Sequence, residues 1–240
     1  MKLNRRRVMG IVRKELRDFR RNGNVVYTML ILPFVFLIQP IIQIFSLHAS
    51  QSAALRHEHS LVYMLAIPAL VPATLSAYSI VGERVQGTLE PLLSTPILRR
   101  ELVLGKAAAV FLPSAGAAYV VFAVFILLVE LFAAPGVAAG LVQAPDVVAQ
   151  VVFTPLLAGW SIWLGMVISA RSRDLRAAAQ LSVLVSLPTV AVTTLIAFNA
   201  IHVDLRVVLA FGLGLLILNR IGWRMATAVF DPERLITNNK

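Results

Sequence analysis

Six long apolar runs, separated by short polar segments, organise this chain of 240 residues. They cover Val25 to Leu47, Leu61 to Val81, about Leu104 to Leu131, about Val147 to Ser169, about Ala177 to Ala200 and about Val207 to Ala228. Each holds the roughly 20 apolar residues that a helix needs to cross the hydrocarbon core of a bilayer. Ahead of them, Val8, Ile11, Val12, Leu16 and Phe19 recur at helical spacing among Arg13, Lys14, Arg17, Arg20 and Arg21. That is the pattern of a helix lying in the membrane interface with its bases toward anionic headgroups. The expected fold is therefore an all-α integral membrane protein: an amphipathic interfacial helix over residues 1–24, then a six-helix domain over 25–240, with Gly23 turning the chain from one into the other.

The polar segment between the second and third runs, residues 82–103, carries more local structure than a plain loop. Gly87 interrupts the helix leaving the second run, and Thr88 can cap a short new one. Glu90 and Pro91 suit the first turn of that helix, one for the macrodipole and the other because its missing N–H costs little there. Leu89, Leu92 and Leu93 give it an apolar face. Thr95 can cap the next helix, with Pro96 at its first position, and that helix runs on into the third run. Glu83, Arg84, Arg99, Arg100 and Glu101 surround the short element with charge of both signs.

Composition sharpens the picture. Apolar residues make up 58% and charged residues only 14%, against about 25% charged in an average soluble domain; lipid must solvate the excess. The net charge of +10 does not mark a nucleic-acid binder, because the bases fall between apolar runs rather than on one soluble face. Lys and Arg favour the cytoplasmic side of membranes. With the N-terminus inside, only Arg56 and Arg206 of the 22 basic residues lie outside, so both termini are expected in the cytoplasm. The basic lead and the first apolar run are too long for a cleavable signal peptide.

The chemistry-bearing residues are sparse. There are no cysteines, which excludes disulfides and thiolate metal sites. His48, His57, His59 and His202 all fall outside, and His57-Glu58-His59 lacks a diagnostic ligand spacing, so no metal is expected. No apolar run holds paired aspartates or a nucleophile with its base, which argues against an intramembrane enzyme. Ser182, Ser186, Thr189 and Thr193 share one face of the fifth run and either line a translocation path or pack against another helix; Gln39 and Gln43 on the first run carry the same two readings. Ser161, Gly165 and Ser169 form a small-residue stripe on the fourth, for which packing is the default.

The stretch Glu83, Arg84, Gly87, Thr88, Leu89, Glu90, Leu92, Leu93, Thr95, Pro96, Arg99 or Arg100, Glu101, Gly105 and Lys106 resembles the signature of type-2 permeases of ATP-binding-cassette (ABC) transporters. Val85 departs from the acid usual there. Arg13-Lys14-Glu15-Leu16-Arg17-Asp18 is similar to that family's N-terminus, and Phe230-Asp231-Pro232-Glu233-Arg234-Leu235 to its ending. The resemblance implies a coupling helix between the second and third spans, docked on a separate ATPase present in two copies. It also implies a second permease subunit, expected to be the same chain. ATP and Mg²⁺ would be bound by the ATPase, since this chain lacks a phosphate loop: Gly105-Lys106 stands without the earlier glycine or the following hydroxyl. Neither catalysis nor a cofactor is expected in this chain. The expected activity is export of a small hydrophobic or amphipathic compound, drug- or antibiotic-like, across a bacterial or archaeal cytoplasmic membrane. Export of a lipid, glycolipid or ion, or a scaffold that engages an ATPase without transporting, stays open.

Overall fold

A computed structural model describes residues 3–46, 59–88, 91, 97–198, 200 and 205–230. All regular elements among them are helical: α1 (Arg5–Arg21), α2 (Gly23–Ser46), a 3₁₀ turn (Ser60–Leu65) leading into α3 (Ala66–Val85), α4 (Arg99–Phe132), α5 (Pro135–Leu141), α6 (Ala144–Arg171), α7 (Leu175–Ala197) and α8 (Leu205–Val229). Five spans, α3 with its 3₁₀ turn, α4, α5–α6, α7 and α8, are each long and apolar enough to cross a membrane. The sixth candidate lies where α1 meets the Val25–Ile38 part of α2, at a bend of 90°. More than half of the 17 residues of α1 are charged, whereas α2 has no charged residue in 24. Charge is expensive at membrane depth, so α2 is the span and α1 the helix that turns away from it.

Several boundaries differ from those the apolar pattern implies. The break between α1 and α2 falls at Asn22, which is extended, and Gly23 is already helical. The turn therefore makes no use of glycine's special freedom. The second run begins as a 3₁₀ turn. α4 has 34 residues, about 51 Å at the α-helical rise. That exceeds a hydrocarbon core of about 30 Å by enough to carry Arg99 to Lys106 beyond it. The helix starts at Arg99, with Leu98 as its extended N-cap, not at Pro96 behind a Thr95 cap. The reason is Glu101, whose Oε2 accepts the Leu98 N–H at 3.2 Å and satisfies one of the donors a helix start leaves open. Pro72, Pro113, Pro155 and Pro188 lie inside continuous helices.

The second span is the centre of the bundle. Its most apolar stretch is 83% buried, against 11% for α8. α3 packs most closely on α6, and small residues set how close. A Cβ on Gly165 would strike Ser76 Oγ and come within 2.9 Å of the Ala73 carbonyl oxygen. One turn on, the Ser169 hydroxyl accepts the Ile80 and Val81 N–H groups at 3.0 and 3.1 Å and donates to the Ala77 carbonyl at 2.6 Å. Gly165 and Ser169 thus pack against α3, and Ser161 of the same stripe is buried. α6 is held to α8 by Asn219, which accepts the Trp163 indole N–H at 3.1 Å and donates to the Leu156 carbonyl at 2.8 Å. The Trp163 and Trp223 rings meet edge to face, 5.3 Å between centroids.

The α3–α6 contact carries a direct expectation. Gly165→Ala forces two backbones apart, at a cost of about 1–3 kcal/mol, and lowers the melting temperature of the detergent-purified protein. Gly214→Ala, where an added Cβ meets nothing within 4 Å, leaves it unchanged or raises it. Equal melting temperatures for the two variants would mean that α3 and α6 are not packed this closely.

Candidate functional site

At one end of the bundle, α1 lies across the ends of α3 and α4, and the contact is built around a buried ammonium. Gly105 of α4 makes the approach possible: a Cβ there would sit 2.7 Å from the Ile11 side chain of α1. Beside it, Lys106 is 1% exposed. Its Nζ donates to Glu15 Oε1 of α1 at 2.8 Å and to the Ser79 carbonyl of α3 at 2.8 Å, and it is ion-paired with Glu83 Oε1 of α3 at 2.9 Å. Lys14 closes the cluster from the surface, 2.9 Å from Glu83 Oε1 and 3.4 Å from both Glu15 Oε1 and Asp18 Oδ2. Two lysines thus alternate with two buried glutamates drawn from different helices.

The electrostatics follow from that alternation. Burial pushes the Glu15 carboxyl upward, but Lys106 and Lys14 beside it outweigh burial and hold it below the usual carboxylate range. Partial burial disfavours the Lys14 ammonium, yet the hydrogen bond to Glu83 and the nearby carboxylates outweigh that and raise its pKa. Glu15 therefore stabilises the fold above its unfolded pKa of about 4.3, and this contribution disappears as pH falls through its lower folded value. The Lys14 contribution is complete below about pH 10.4 and is lost only as pH climbs through its raised folded value.

A second set of contacts ties the start of α4 to the same helix. Glu101, 0% exposed, accepts the Asn4 backbone N–H at 2.8 Å through Oε1 and lies 3.7 Å from Arg7 Nη1. Asn4 in turn caps α1, its side chain accepting the Arg6 N–H. The end of α3 is finished by a Schellman motif: the Gly87 N–H donates to the Arg84 carbonyl and the Thr88 N–H to the Glu83 carbonyl, with Gly87 at φ 69°. That left-handed conformation suits glycine. The Thr88 hydroxyl turns back to the Glu83 carbonyl at 3.3 Å. Arg84 reaches the other way and donates to the carbonyl oxygens of Ser172 and Ala170, at the end of α6.

Of the residues singled out by sequence, the structure brings Glu83, Glu101 and Lys106 together beneath α1, with Arg84, Gly87 and Thr88 at the adjoining helix end. Arg99 is exposed. Leu89, Glu90, Leu92, Leu93, Thr95 and Pro96 lie outside the described residues, as do the side chains of Gln39 and Gln43. Ser182 and Ser186 on α7 are buried inside this protomer, with the Ser186 hydroxyl returned to the Ser182 carbonyl. Thr189 is half-buried, and Thr193 is buried and bonded to the Val190 carbonyl. Lys14 and Glu15 join the Lys106 cluster although the sequence marks them only as part of the N-terminal motif. A carboxylate beside lysine on a helix otherwise facing headgroups was the available signal.

Residues 9–206 match the family described as ABC-2 family transporter protein. No curated protein matches the chain.

The buried cluster makes its own expectation. Lys106→Met leaves two buried carboxylates with only the half-exposed Lys14, and breaking such a set costs about 3–5 kcal/mol. Because the chain has no cysteine, a single Val12→Cys at the buried face of α1 reports attachment: its maleimide labelling is slow in the parent and becomes fast when Lys106→Met is added. In the parent, the melting temperature stays level from pH 6 to pH 9 and declines as acid protonates Glu15. Unchanged labelling would show that the cluster does not hold α1.

Proposed function

Since the chain belongs to the ABC-2 transporter family and is thus a membrane-spanning subunit of an ABC transporter, we propose that it couples ATP hydrolysis by a separate ATPase to export of a small hydrophobic or amphipathic compound. The observation that carries this reading is the clamp of Glu15, Glu83 and Lys106. Residues 86–98 are the link between α3 and α4, and both ends of that link are fastened to α1. A push on the link therefore reaches α3 and α4 as one body rather than bending a loose hairpin. α3 is the central helix, so tilting it re-aims every helix packed on it.

In this reading the end carrying α1 faces the cytoplasm, where Leu89, Leu92 and Leu93 present an apolar tip to a groove of the ATPase. Glu83, Glu101 and Lys106 are buried, so their part in coupling is to hold the platform and not to touch the partner. Two ATPase copies, each holding Mg-ATP, and a second copy of this chain complete the transporter in a bacterial or archaeal cytoplasmic membrane. ATP drives the cycle because it binds the closed ATPase dimer better than the open one, and only such a difference in affinity can shift the permease between its states.

Two substitutions separate docking from transmission. With the ATPase co-expressed and the complex reconstituted in liposomes, Leu92→Asp abolishes co-purification. Lys106→Met retains at least part of the complex but lowers transport of a fluorescent amphiphile per ATP hydrolysed. If the wild-type chain binds no ATPase, the reading falls; if it binds one, hydrolyses ATP and moves none of a broad panel of amphiphiles, a scaffold role replaces it.

A further inference from the structure

At the end of the bundle remote from α1, a cavity of about 440 Å³ opens between the 3₁₀ turn, α6, α7 and α8. Ligand pockets span roughly 300–1,000 Å³, so a compact organic molecule fits. Val62, Leu65, Phe153, Ile196, Val208 and Phe211 are among its walls, and the Phe153 and Phe211 rings stand 5.3 Å apart. Among the described residues of this apolar lining there is one carboxylate, Asp146, in the first turn of α6, and one imidazole, His59. Among the described residues no lysine or arginine lines it; Arg206, between two lining residues, is exposed.

Asp146 is 2% exposed, and its two oxygens are used unequally. Oδ1 lies 2.7 Å from His59 Nδ1, whereas Oδ2 is buried with no hydrogen-bond partner. One helical turn along α6, both amide atoms of Gln150 are likewise buried without a partner. A buried acceptor left unpaired is costly, and here it belongs to a residue that lines a cavity with room for a donor. An anion would meet the carboxylate's repulsion. A neutral hydrocarbon would fill the walls and leave Oδ2 as it is. A hydrophobic molecule bearing a protonated nitrogen satisfies both features.

We propose that this cavity binds a hydrophobic amine, with its apolar body against the walls and its N–H donated to Asp146 Oδ2. The inference rests on the transporter reading only where it makes this ligand the cargo; binding itself is a property of the subunit alone. The same chemistry occurs in a free lipophilic amine and in a lipid with an amine headgroup.

The test uses the full chain without ATPase, in nanodiscs of phosphatidylcholine. The probes are dansylcadaverine, a primary amine whose fluorescence rises in apolar surroundings, and its neutral N-acetyl counterpart. Wild type binds the amine about tenfold more tightly, the scale of one charge-assisted hydrogen bond. Asp146→Asn removes that preference, and Val208→Trp, which fills the cavity, weakens both probes. A wild type that does not distinguish the probes, or an Asp146→Asn protein that melts normally and still prefers the amine, overturns the assignment. Should Asp146→Asn fail to fold, Val208→Trp decides: an amine preference that survives filling overturns it as well. Phosphatidylethanolamine in the nanodisc that displaces the amine from wild type identifies the lipid headgroup as the source; amine binding unaffected by it identifies the free compound. Failure of ATP-driven transport would leave these binding results standing.

Discussion

Lys106 carries an ammonium into a place where water does not reach it, and a charge so placed must find acceptors or not be there. Removing an ion from water costs several kcal/mol even after relaxation. The three acceptors that offset this come from two other helices. α1 must supply Glu15, so it has to lie flat across the bundle end; α3 must supply Glu83 and the Ser79 carbonyl, so it has to end level with the start of α4. The two helix ends that the link joins are thus fixed from beneath. A hydrophobic contact would hold these helices together but would not set their register, whereas two directed hydrogen bonds and a close ion pair on one nitrogen do.

Much of this was legible in the sequence, because lipid imposes long apolar runs and those runs announce the spans. The amphipathic spacing of α1 and the glycine that ends α3 were readable for similar reasons: 3.6-residue periodicity in one case, and in the other a backbone conformation that suits glycine. The charged and glycine positions of the central motif were legible as a resemblance but not as physics. Gly105 reads as one glycine among 13 until Ile11 is seen against it. Lys106 reads as a topology anchor until its side chain is found buried. Glu83 and Glu101 look like surface charges beside a docking helix, yet both face α1. Sequence separation hides such contacts: 91 residues part Lys106 from Glu15.

The start of α4 shows how local rules compete. Thr95-Pro96 is a good helix opening by propensity, but Glu101 holds the Leu98 and Asn4 N–H groups at once, and tertiary demand moves the boundary three residues on. His59 and Asp146 were missed for a different reason. Neither residue is unusual alone: one sits in a loop with other histidines, the other begins an apolar run after a proline. Only the fold, which returns the start of the second span to the start of the fourth, turns them into a pair.

The two ends of the bundle are therefore built on opposite principles. Near α1, charged side chains from three helices are paired across helix boundaries, and the helices cannot slide without breaking several contacts together, although Glu83 Oε2 and the Ser79 hydroxyl there have no hydrogen-bond partner. At the far end, α6, α7 and α8 surround an apolar cavity with one charged contact among the described residues, His59 with Asp146, so relative movement there breaks fewer directed contacts. Along the roughly 37 Å of α6 between Asp146 and Arg171, Gly165 and Ser169 keep it against α3. A displacement imposed at the ion-paired end is then carried by α3 and α6 as a stiff pair and arrives where the packing is loosest. In the proposed transport cycle that asymmetry is useful: the end proposed to receive force resists deformation, and the end proposed to take a ligand can adjust.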